Sequence, residues 1–271
     1  MRLFGRIFLL FIAATAWAVA SAPAEPVPLR RAHSHNDYVH ARPLHEALEL
    51  GYCSVEADIY LVEGRLLVGH DRKDLKPDRT LEALYLDPLQ AIARRNGGRI
   101  HRAVATITLL IDIKTEAEAT YLALDTVLSR YPDLLTSFSP VQTEPRAVTV
   151  IISGNRAVDV IARQSSRRAA IDGRPTDLEG SASAALIPWI SANWSDLSKW
   201  RGNGAMPAAD REKLSRWVTL AHQQGRALRF WNTPDTPAMW QLLLEAGVDI
   251  IGADHLAPFR DFLLQRTNAQ P

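Results

Sequence analysis

A chain of 271 residues, 47% of them apolar, can bury a large core, and α/β barrels run to about 250 residues as one domain. The balance of 31 basic against 30 acidic residues leaves a net charge of +1, which argues against a nucleic-acid or other polyanionic partner. The single cysteine, Cys53, excludes an internal disulfide, and no Cys/His zinc spacing occurs.

Residues 1–24 read as a signal peptide and linker. Arg2 and Arg6 form a basic start, and the apolar run 7–20 is shorter than the ~20 residues that span a bilayer comfortably. Ala18 and Ala20 have the small-residue spacing of a cleavage site. The expectation is an exported protein, periplasmic or secreted, with no stable membrane span after cleavage. An uncleaved anchor is the alternative.

From Leu29 the chain alternates strands with helices. A short strand over 29–32 runs into His33 and His35. A helix over 43–50 has Pro43 in its first turn and Gly51 at its end. A strand over 52–61 alternates with period two, and Glu63-Gly64 predicts a hairpin into 65–68. A helix over 80–95 is interrupted at Pro88. Further strands are expected at 105–113, 148–152, 168–171, 186–192, 227–231 and 248–251. Further helices are expected at 116–129, 157–164, 208–224, 237–246 and onward to about 265. The polar stretch 172–185 is a long loop. Eight strands, most followed by a helix, predict a single (β/α)8 TIM barrel over residues 29–267.

On the 52–61 strand, Cys53, Val55, Ala57 and Ile59 take one side while Glu56 and Asp58 project from the other. Two carboxylates turned into a barrel mouth repel each other and need a cation or protons. A divalent metal and a salt bridge to Arg or Lys answer that need equally on spacing alone. For oxygen ligands the metal is Mg2+ or Ca2+. The next strand supplies Asp112 and Lys114 on its inward side, a third oxygen ligand and a cation; a private Asp112–Lys114 contact is the bland alternative. His33, His35 and His70 lie at strand ends on the same rim, and a pair of imidazoles suits general acid–base work. His40, His45, His101 and His222 read as ordinary histidines, and His255 as a helix cap.

The ordered set His33-x-x-Asn36, Glu56-x-Asp58, His70-Asp71 and Asp112-x-Lys114 resembles the superfamily of glycerophosphodiester phosphodiesterases, sphingomyelinases D and phosphatidylinositol-specific phospholipases C. The fuller string His33-Ser-His-Asn-Asp-Tyr, Ser54-Val-Glu-Ala-Asp and Val68-Gly-His-Asp is similar to its branch named for altered inheritance of mitochondria protein 6. The resemblance runs from about Arg31 to Asp254. It implies a PLC-like phosphodiesterase barrel in lipid metabolism, a metal-dependent phosphoric diester hydrolase acting on a small-molecule or lipid phosphodiester. It places catalysis at His33 and His70, the metal on Glu56, Asp58 and Asp112, and substrate or phosphate binding at Asn36, Lys114 and Trp231. Two departures stand out: the glycerophosphodiesterase His-Arg-Gly is here His33-Ser-His35, and no Glu-Asn-Thr follows. His35 therefore competes with His33 for the catalytic role.

An amidohydrolase-type metal hydrolase also carries His-x-His on its first strand, but it would need histidines where Asp172 and Asn193 stand. Glu56 and Asp58, adjacent on one face, cannot flank a sugar bond as a glycosidase requires. A non-catalytic secreted binding barrel is the remaining alternative. Trp189, Trp194, Trp200 and Trp231 are candidate rim aromatics for a lipid or choline-like head group, against packing as the commoner role.

Overall fold

The computed structural model describes residues 25–267, so the leader expectation for residues 1–24 lies outside the described residues. Eight parallel strands form a ring: β1 (Leu29–Ser34), β2 (Tyr52–Val62), β3 (Ile107–Ile113), β4 (Val148–Gly154), β5 (Ala169–Gly173), β6 (Trp189–Asn193), β7 (Ala227–Trp231) and β8 (Ile250–Ala253). Each pairs with the next in sequence, and β8 closes onto β1 through Ala32–Ile251 and His33–Gly252. The helices are α1 (His45–Glu49), α2 (Asp87–Arg95), α3 (Ala117–Leu128), α4 (Val158–Arg163), α5 (Trp194–Leu197), α6 (Ala208–Gln223), α7 (Pro237–Ala246) and α8 (Leu256–Thr267). This is the expected TIM barrel. No helix among the described residues is long and apolar enough to cross a membrane.

Strand alternation builds two cores. Cys53, Val55, Ala57 and Ile59 of β2 and Ile107, Leu109, Ile111 and Ile113 of β3 join the apolar layer between barrel and helices. Each such aliphatic side chain stabilises by about 1.5–3 kcal/mol when fully buried. The opposite faces fill the barrel with a smaller cluster of Leu110, Ile151, Trp189 and Ile250. That plug is the floor on which the polar residues nearer the strand ends rest.

The expected hairpin is present, and the departures that follow it have local causes. β2 continues past the barrel and turns back on an antiparallel arm, Arg65–Val68, across Glu63 and Gly64. Both turn residues have positive φ, 50° and 75°, the geometry of a tight two-residue hairpin. Helix α1 begins two residues after Pro43, because Leu44 has a φ of 65°. Asp37 fixes that turn: it is fully buried, and its Oδ2 accepts from Leu44 N at 2.6 Å and from Tyr85 at 2.9 Å. The 80–95 segment is a π-helical turn, Glu82–Leu86, followed by α2 with Pro88 in its first turn. After β5 the crossover holds only a 3-10 turn, Pro175–Glu179, within the expected loop. A two-stranded ribbon, Ser137–Phe138 with Thr143–Glu144, had no signal in the alternation pattern.

Candidate active site

β2 and β3 pair in register, with Asp58 opposite Asp112 and Glu56 opposite Leu110. Oxygen atoms of Glu56, Asp58 and Asp112 accordingly lie within 4.8 Å of one another. Lys114 Nζ sits 3.0 Å from Asp58 Oδ2 and 3.0 Å from Asp112 Oδ1, so the private Asp112 contact is present and extends to Asp58. Burial and the charge of Glu56 push Asp58 up to about 6, against the pull of Lys114 and Tyr38. Burial also raises Asp112. Burial pulls Lys114 down, but Asp112 and Asp58 more than reverse it and hold it charged. Tyr38 shares one hydroxyl proton between Asp58 Oδ2 at 2.6 Å and Asn36 Oδ1 at 2.7 Å. Asp58 Oδ1 is buried without a hydrogen-bond partner among the described residues. An orphaned carboxylate oxygen beside two further carboxylates suits a bound cation, and an all-oxygen donor set fits Mg2+ or Ca2+.

Gly154 makes the approach of β4 to this cluster possible. Its φ is +66°, and a Cβ there would lie well inside contact distance of Asp112 Oδ1 and the Ile113 carbonyl. Gly154→Ala is expected to cost about 2–4 kcal/mol by denaturant melting, from a left-handed residue bearing a side chain plus overpacking. It should also displace Asp112.

His33, at the end of β1, is fully buried and stands edge-on to Trp189 with ring centroids 6.3 Å apart. Its Nδ1 is 2.7 Å from Ser54 Oγ, and its Nε2 is 3.1 Å from Glu56 Oε2. Arg229, on the expected 227–231 strand, completes the group. Its guanidinium donates to Glu56 Oε2 at 3.1 Å and lies 3.1 Å from His33 Nε2. Burial and the Arg229 charge hold His33 down at about 4, so its imidazole is neutral at pH 7. Burial would raise Glu56, but Arg229 and His33 lower it and keep it ionised.

His35 is different in kind. Its side chain is 32% exposed, and Nδ1 lies 2.7 Å from Asp254 Oδ1 beyond the end of β8. Burial pulls its pKa down, but the Asp254 hydrogen bond and the Glu56 charge overcome this and raise it. Asp235 fixes the loop that carries Asp254: its Oδ2 accepts from Asp254 N at 3.1 Å and from His255 N at 2.8 Å. His35, Arg229, Trp231, Asn232 and Asp254 line one cleft of about 180 Å3. Asp254→Asn should lower the His35 pKa, because the hydrogen bond and charge of Asp254 that raise it are lost while burial still disfavours the cation. NMR titration of the His35 ring reads this directly.

His70 follows the hairpin arm and is 58% exposed. It touches none of the three carboxylates; its neighbour Gly69 donates to the Asp58 carbonyl at 3.2 Å. His70 instead lines a separate groove with Tyr38, His40, Lys73, Lys76 and Arg79. Tyr38 is the shared wall, since its hydroxyl reaches Asp58. Asn36 has a φ of 49° and is tied to Tyr38. Of the rim aromatics, Trp189 and Trp194 are buried, while Trp231 is 43% exposed at the cleft. Where an amidohydrolase would need histidines, Asp172 is ion-paired to Arg174 and Asn193 caps the Ser195 amide.

Comparison with known proteins gives this arrangement a family. Residues 22–172 match the family described as AIM6-like phosphodiesterase domain. The chain belongs to the AIM6-like phosphodiesterase family. Altered inheritance of mitochondria protein 6 from Eremothecium gossypii is 30% identical, over 88% of this chain and 71% of that protein. A homologue from Arthroderma benhamiae is 27% identical, over 84% of this chain and 81% of its own length. Two solved structures share the fold. A glycerophosphodiester phosphodiesterase from Parabacteroides distasonis has a TM-score of 0.53 at 15% identity, covering 88% of this chain and 98% of that one. A Ca2+-dependent phosphatidylinositol-specific phospholipase C from Streptomyces antibioticus has a TM-score of 0.54 at 14% identity, covering 88% and 95%. For this AIM6-like barrel, those likenesses establish architecture.

Proposed function

We propose that this protein is a metal-dependent phosphoric diester hydrolase acting on a glycerophosphodiester or phospholipid-type substrate. The observation that carries the reading is the convergence of Glu56, Asp58 and Asp112 beside Lys114, with a buried Asp58 oxygen left unpartnered. Membership in a phosphodiesterase family supports the same chemistry. Glu56, Asp58 and Asp112 would hold Mg2+ or Ca2+. When bound, such an ion supplies Lewis-acid polarisation of a phosphoryl oxygen.

The chain's own groups do the rest. Lys114, kept protonated by Asp112 and Asp58, holds positive charge where a phosphoryl oxygen would gain negative charge. Asn36, bonded to Tyr38, and Trp231, which lines the His35 cleft, would orient the substrate. His33 and His70 are the proposed proton-transfer pair. His33 is neutral and directs Nε2 at the carboxylate cluster, and His70 stands exposed across Tyr38. A second reading replaces His33 with His35, because His35 is partly exposed and paired with Asp254 whereas His33 is closed off from solvent. The basic and apolar start of the chain supports export, so the substrate would be met outside the cytoplasm. A panel of glycerophosphodiesters and phospholipids, incubated with Mg2+, Ca2+ or EDTA and analysed by mass, tests the proposal. Metal-dependent release of a phosphomonoester or cyclic phosphate is expected; a panel without turnover would leave a binding barrel.

A further inference from the structure

Arg229 is an unusual resident of an acidic metal site. It is 3% exposed, and its guanidinium bonds Glu56 Oε2, one of the three carboxylates that would hold the ion. Its Nε is buried and has no hydrogen-bond acceptor among the described residues. Arg229 comes from β7 and Lys114 follows β3, four strands apart in a ring of eight, so two cations stand on opposite walls of one cluster.

The charges decide what this arrangement does. Glu56, Asp58 and Asp112 contribute three negative charges as metal ligands, and Lys114 and Arg229 two positive, which leaves −1. A divalent ion turns −1 into +1, and a phosphodiester monoanion then brings the site to neutrality. Without Arg229 the same residues sum to −2, and the metal-loaded site would be neutral and indifferent to an anion.

We propose that Arg229 trades metal affinity for anion affinity: it weakens divalent binding and makes the loaded site accept a singly charged phosphodiester. This rests on the metal-dependent reading above and adds to it that substrate charge is selected by a residue outside the metal set. The unpartnered Nε–H is the donor such an anion would take up. A purely structural Arg229 would neutralise Glu56 and do nothing else.

The test uses the full chain, Mn2+ followed by electron paramagnetic resonance, and dimethyl phosphate as an inert diester. Arg229→Gln should tighten Mn2+ binding on the order of tenfold, since one nearby repulsive charge is gone. The Mn2+-loaded variant should bind dimethyl phosphate weaker by a similar factor of about ten. Arg229→Lys, which keeps the charge, should hold Mn2+ affinity within about threefold of wild type. Should Arg229→Gln fail to fold, the wild type still decides: dimethyl phosphate must tighten its Mn2+ binding, because the linkage is reciprocal. Weakened or unchanged Mn2+ binding in Arg229→Gln, or no linkage in the wild type, overturns the proposal. Absence of any Mn2+ binding by wild type would instead sink the metal-dependent reading itself, a result distinct from both.

Discussion

Asp58→Asn is expected to lower kcat/KM on a phosphodiester by on the order of a thousandfold while leaving the metal-free protein more stable than wild type. The two effects share one cause. Asp58 is held at about 6 against its usual 3.8, so ionising it works against folding. Stability of the metal-free fold therefore falls as pH rises through that interval, the reverse of a salt-bridged carboxylate. A neutral amide of the same shape relieves that repulsion, about 1–3 kcal/mol at pH 7 once its weaker contacts to Lys114 and Tyr38 are allowed for. Thermal melts with EDTA should show a higher Tm for the variant. Melts with added Mg2+ or Ca2+ should show the rise only in wild type, because only there does ligation recover the cost. A variant less stable than wild type without metal would mean that Asp58 is a structural salt-bridge partner, and that the cluster is not poised for a cation.

The second large effect concerns the histidines. His33→Ala and His70→Ala are each expected to lower kcat by about 10²–10⁴, the usual contribution of a positioned acid or base. His35→Ala should lower it by about tenfold or less, as a residue that borders the cleft without reaching the carboxylates. His33 also holds Glu56, so loss of activity alone does not separate proton transfer from positioning. The pH–rate profile does: loss of a proton donor or acceptor removes one limb of the bell, whereas a disturbed Glu56 lowers the whole curve. If His35→Ala lost the limb and His33→Gln kept it, the His35–Asp254 pair would be the proton-transfer group.

The eight strands and their inner and outer faces were legible because period-two alternation is a local property. Asp112 could be aimed inward from Ile107, Leu109, Ile111 and Ile113 alone, and its pairing with Asp58 followed once neighbouring strands lay in register. Groups that meet only on closure of the ring were not legible. The His35–Asp254 contact joins residues 219 apart and exists because β8 returns to β1. Arg229 did leave a signal, a guanidinium between Leu228 and Phe230 whose alternation turns it inward. Which carboxylate it would meet depends on packing across the barrel, and no spacing rule encodes that. His33 and His70 each end an apolar run, and the pattern could not tell that one is closed off beneath Arg229 while the other stands beyond Tyr38 in a separate groove. Trp189 and Trp194 take the commoner role expected of tryptophans near strand ends: Trp189 fills the barrel and Trp194 packs edge-on to Phe230.

The most direct measurement of the central claim is product analysis by mass from one phosphodiester substrate, with wild type and Asp58→Asn, in Mg2+ or Ca2+ and again in EDTA. The expected result is a phosphomonoester or cyclic phosphate from wild type with metal, and none with EDTA or from the variant. Turnover that survives EDTA, or that Asp58→Asn retains, would contradict a metal-dependent phosphodiesterase built on Glu56, Asp58 and Asp112.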